Sequence, residues 1–60
     1  MGTWIKATVY ENEQGDIRCD VSWHPSEEAA RARRDGLIFV WRAAEVSRAR
    51  ARKLALGWVL

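Results

Sequence analysis

Paired cysteines, long apolar runs and a glycine-rich loop are all missing from this 60-residue chain. The single cysteine, Cys19, rules out an internal disulfide and suits a reducing compartment, so a cytoplasmic protein is expected. The longest strictly apolar run, Leu37 to Trp41, is far shorter than the roughly 20 residues of a spanning helix. No signal-peptide pattern opens the chain, because alternating rather than continuous apolar residues follow Lys6. Met1-Gly2 is not followed by Ser or Thr at position 6, so no myristoyl anchor and no membrane partner is expected.

The chemistry-bearing residues are equally sparse. Four glycines stand apart at positions 2, 15, 36 and 57 and build no phosphate cradle. One cysteine and one histidine, Cys19 and His24, do not supply the ligands of a closed zinc site. Cys19 as a nucleophile would need an electropositive, partly exposed setting, yet it shares an apolar strand face with Ile17 and Val21. Adjacent Glu27 and Glu28 would diverge by about 100° on a helix, which excludes a catalytic carboxylate pair. A pocket of several hundred Å³ is hard to enclose in so short a chain. No catalytic residue, cofactor or metal is assigned, and the expectation is a non-enzymatic single domain over residues 1–60.

What the sequence does contain is uneven charge and concentrated aromatic surface. The net charge is +2. In residues 1–30, Lys6 and Arg18 face six acidic groups, a net of −4; in residues 31–60, eight basic groups face Asp35 and Glu45, a net of +6. Such a split allows neutralisation within one molecule or between two, and offers a basic face to an acidic partner. Hydrophobic residues make up 48% of the chain, but nine are alanines; four Trp, one Tyr and one Phe carry much of the remaining apolar mass. A core this thin is one that self-association, as a homodimer, or a partner would complete.

Residues 3–11 and 16–23 alternate in polarity, which predicts a β-hairpin over about 3–23 with its loop at Asn12-Glu13-Gln14-Gly15. One face carries Ile5, Ala7, Val9, Ile17, Cys19, Val21 and Trp23; the other carries Trp4, Lys6, Tyr10 and Arg18. Pro25, a capping Ser26 and two glutamates predict a short helix over about 26–35, with Ala29, Ala30 and Ala32 inward and Gly36 closing it in a left-handed conformation. Leu37 to Trp41 reads as a third strand on its β-branched and aromatic content. The three-four spacing of Leu37, Val40, Ala44, Ser47, Ala51, Leu54 and Trp58 also fits one continuous helix. The preferred fold is therefore α+β in the order ββαβα, with a last helix from about Ala43 to Gly57 and an apolar tail Trp58-Val59-Leu60. The alternative is ββαα with one long C-terminal helix.

Two surfaces attract attention. On a helix, Arg48 and Arg52 share a side while Arg50 points almost opposite and Lys53 lies elsewhere again, so the basic stretch is spread around the cylinder. Such residues can be a solvated helix face or a surface for phosphates or acidic protein groups. On the hairpin, Trp4, Tyr10 and Arg18 are either covered by a helix or exposed as an interface of the aromatic and Arg type. The sequence thus points to a small accessory or inhibitory protein, of a size that suits a phage or plasmid gene product. It would dock on a larger protein or nucleoprotein with an acidic surface through Trp4, Tyr10, Arg18, Arg48, Arg52 and Trp58. Nucleic-acid binding through the basic C-terminal half is the alternative.

Overall fold

The computed structural model describes residues 2–60. Alternation produces the expected hairpin: β1 (Trp4–Glu11) and β2 (Ile17–His24) pair antiparallel, with Ile5 opposite Trp23 and Glu11 opposite Ile17. The loop between them is fastened by Asn12, whose side-chain oxygen accepts from the amides of Gln14 at 3.0 Å and Asp16 at 2.9 Å. Gly15 turns the corner at φ +84°, a conformation open to glycine at little cost.

A five-residue helix, α1 (Glu27–Arg31), follows, capped by Ser26 Oγ accepting from the Ala29 amide at 3.0 Å. It is shorter than the stretch 26–35 predicted from the sequence. The Ala32 amide already bonds to the Ala29 carbonyl in a tightened last turn, and the buried Lys6 ammonium takes the Arg33 carbonyl. Gly36 does not close the helix in a left-handed conformation, since Gly15 is the only positive-φ residue among those described. Gly36 serves close approach instead: a Cβ there would lie 2.4 Å from the Val9 carbonyl oxygen.

Leu37–Arg42 is a strand, β3, pairing antiparallel with β1, so the sheet order is β2-β1-β3. The alternative of one long C-terminal helix is overturned. Ala43 continues the ladder, donating to the Thr3 carbonyl at 2.8 Å, so residues 37–43 cannot also supply helical hydrogen bonds. The last helix, α2 (Arg48–Val59), consequently begins five residues later than expected, at the cap Ser47, whose Oγ accepts from the Arg50 amide at 3.1 Å. It also runs through Gly57, so Trp58 and Val59 are helical rather than a tail.

The connection from β2 to β3 must cross β1, and it carries α1 over the face of Trp4, Lys6, Thr8 and Tyr10. α2 takes the other face, over β1 and β2, where Ala7, Val9, Cys19 and Ala55 form the buried centre with Val21, Leu56 and Val59 against it. Both sheet faces are therefore covered, each by its own helix. The small residues Ala51 and Ala55 are fully buried and let α2 lie close to the strands. Among the described residues, no helix is long and apolar enough to cross a membrane.

Candidate functional site

α2 covers β1 and β2 with its backbone, but β3 is reached mainly by one side chain, Trp58. Phe39 and Trp41 alternate onto the same face as Leu37, and Trp58 descends on them from the last turn of α2. Ring centroids lie 5.1 Å apart for Phe39–Trp58, 5.8 Å for Trp41–Trp58 and 6.3 Å for Phe39–Trp41, within the range of favourable aromatic pairs. The cluster is open on its outer side: Trp58 and Leu37 are each 59% exposed. Leu60, one residue beyond the helix, is 83% exposed.

The N-terminal half of α2 has a different character. Arg48 and Arg52 are exposed, lie one turn apart and line a shallow recess with Ala49. Neither forms an ion pair: the pairs among the described residues are Arg18–Asp16 at 4.0 Å and Arg31–Glu27 at 3.0 Å, both on the surface elsewhere. No acidic residue occupies the first turn of α2, where Arg48 and Arg50 meet the positive end of the helix dipole. Cations there oppose helix stability, so their placement is not explained by the fold.

The six residues singled out from the sequence do not form one site. Trp4 and Tyr10 lie half-buried on the face that α1 covers, and the Arg42 guanidinium stacks 5.5 Å from the Trp4 ring centroid. Arg18 is exposed on β2 beside Asp16. Trp4 and Tyr10 share β1, Arg18 lies on β2, and Arg48, Arg52 and Trp58 share α2. Sequence reasoning read Leu37, Phe39 and Trp41 only for their secondary structure and gave them no functional role. The available signal was their run without a single charge, which on a strand at the edge of a sheet leaves apolar surface open.

Two arrangements bear on chemistry. Cys19 is buried and its thiol is pushed up in pKa by that burial; Arg52 opposes the shift and Asp20 adds to it. A thiol so held is protonated and poorly nucleophilic at neutral pH. Ser22 Oγ and His24 Nε2 lie 2.8 Å apart on β2, the spacing of a nucleophile and base, but no carboxylate hydrogen-bonds the imidazole among the described residues. An open recess between Gly2, Thr3, Trp4, Arg42, Ala43 and Ala44 holds no acid–base pair. No group of three His, Cys, Asp or Glu side chains that could hold a metal ion occurs among the described residues.

No protein-family model matches the chain, and no match to it was found among curated proteins or among solved structures.

Proposed function

We propose that this chain is a small non-enzymatic accessory or inhibitory protein that docks on a larger protein bearing an acidic surface, with α2 as the docking element. Trp58 is the anchor at the C-terminal end, and Arg48 and Arg52 are the charged contacts of the N-terminal half. The observation that carries this reading is Trp58, 59% exposed at the end of a helix whose other half bears unpaired arginines. Exposed Trp and Arg side chains are the types that dominate binding energy at protein interfaces. The cations at the wrong end of the helix dipole fit a surface kept for an acidic partner at a small cost in stability.

The test is co-purification from the native host with tagged wild-type chain, Trp58→Ala and the double variant Arg48→Ala/Arg52→Ala, each checked for folding by circular dichroism. A protein retained by wild type and lost by both folded variants supports the reading. Equal retention by all three sinks it.

The unpaired arginines also favour a second reading, a nucleic-acid-binding module using the basic C-terminal half. Phosphate-driven binding weakens steeply with salt. Retention on generic DNA or RNA at low salt, lost as salt rises, is its signature, and no retention on either polymer removes it.

A further inference from the structure

We infer that β3 is a self-pairing edge, and that two copies of this chain join through it into one six-stranded antiparallel sheet. The inference concerns the outer edge of β3 and is separate from the docking role of α2.

Backbone parity comes first. The Ala43 amide donates to Thr3, which lies directly opposite it in the β1–β3 register, so odd-numbered residues of β3 direct their N–H and C=O groups toward β1. The groups of Ile38, Val40 and Arg42 therefore point outward. Among the described residues, no strand pairs with them. A row of donors and acceptors of this kind is satisfied by another strand.

The two edges of the sheet are not alike. β2 places Arg18 and Asp20 at alternate positions, charges that resist edge pairing. β3 has no charge or proline from Leu37 to Trp41.

The sequence of β3 is also complementary to itself. Antiparallel pairing about a two-fold axis at Phe39 sets Leu37 opposite the second copy's Trp41, Ile38 opposite its Val40, and Phe39 opposite its Phe39. Every opposed pair is apolar, and each stays on its own sheet face. Ile38 and Val40 meet as a hydrogen-bonded pair through the groups that point outward. Leu37, 59% exposed in the single chain, gains the partner indole as cover. Arg42 falls opposite the second copy's Gly36, which has no side chain to clash with it, at both ends of the seam. Shifting the axis to Val40 would set Arg42 against Ile38 and leave Leu37 opposite Ala43.

The experiment has two parts. Sedimentation equilibrium of the purified chain over a micromolar concentration range is expected to report a dimer. Leu37→Lys changes a side chain already largely in solvent and should weaken the dimer at least tenfold with the circular dichroism spectrum unchanged. Under mild oxidation, Phe39→Cys should form a covalent dimer, because non-hydrogen-bonded opposite positions bring Cα atoms to about 4.5 Å. Val40→Cys, which faces Ile38 across the seam, should not. A monomer throughout the concentration range, or a dimer indifferent to Leu37→Lys, overturns the inference, as does cross-linking by Val40→Cys in place of Phe39→Cys. A monomer would leave the α2 docking reading to its own co-purification test, because Leu37 and the β3 edge are not changed there.

Discussion

Two glycines show how differently one residue type can be used. A Cβ on Gly36 would lie 2.4 Å from the Val9 carbonyl oxygen and 3.1 Å from Tyr10 Cβ, and the backbone of β1 cannot move aside cheaply. Gly57 sits inside α2 with nothing within 4 Å of such an atom. Gly36→Ala is therefore expected to destabilise the fold by about 1–3 kcal/mol, the range for forcing atoms into filled space. Gly57→Ala should stabilise it by about 0.5–1 kcal/mol through helix propensity. Urea unfolding of the two variants checks both signs, and a matching sign would refute the assignment. Neither role was legible from the sequence. Gly36 reads as a helix terminator and Gly57 as a helix end, because the approach of β1 to Gly36 and the cap at Ser47 exist only after folding. Gly15, by contrast, reads correctly because its turn is local.

At the scale of elements, the caps rank the two helices. Ser26 and Ser47 make the same bond to the amide three residues on, at 3.0 and 3.1 Å. Their helices contribute unequally: α1 buries only Ala30, while α2 buries Ala51 and Ala55 and presses Leu56 and Val59 onto the core. Ser47→Ala should cost about 1 kcal/mol, the usual value of an N-cap, and Ser26→Ala less. Thermal unfolding of both variants decides it, and a larger loss for Ser26→Ala would contradict the ranking. The cap of α1 could be read directly, since Pro25, Ser26, Glu27 and Glu28 form a compact start signal. The cap of α2 could not. Ala43 to Val46 suits a helix well, but the bond from Ala43 to Thr3 and the turn bond from the Glu45 amide to the Arg42 carbonyl keep that stretch out of it.

For the whole molecule, burial of Cys19 makes stability depend on pH in a definite direction. Its pKa in the folded chain is raised above the ordinary 9.0, mainly by burial. The stability tied to the protonated thiol is fully present below 9.0 and is lost as pH rises through the folded value. The urea midpoint of the wild type should fall more between about pH 7 and pH 10 than that of Cys19→Ala, the comparison removing the titration of other groups. Identical pH profiles would show that the thiol is not shielded in solution. The three-layer arrangement behind this shielding also governs the surface: one helix per face leaves α2 too narrow to roof three strands. The uncovered strip falls on β3.

Local pattern was enough to specify the hairpin, its Gly15 turn and the start of α1, because each rests on neighbours within a few residues, whereas residues 37–41 fitted strand or helix until pairing with β1 decided for strand. The helix limits beyond Ser26, the burial of Lys6 and the gathering of Phe39, Trp41 and Trp58 were decided by tertiary structure. They depend on which strand edge β3 occupies and which face each helix covers. Those choices are made by hydrogen bonds and contacts between segments from 17 to 40 residues apart, for which the sequence carries no periodic signal.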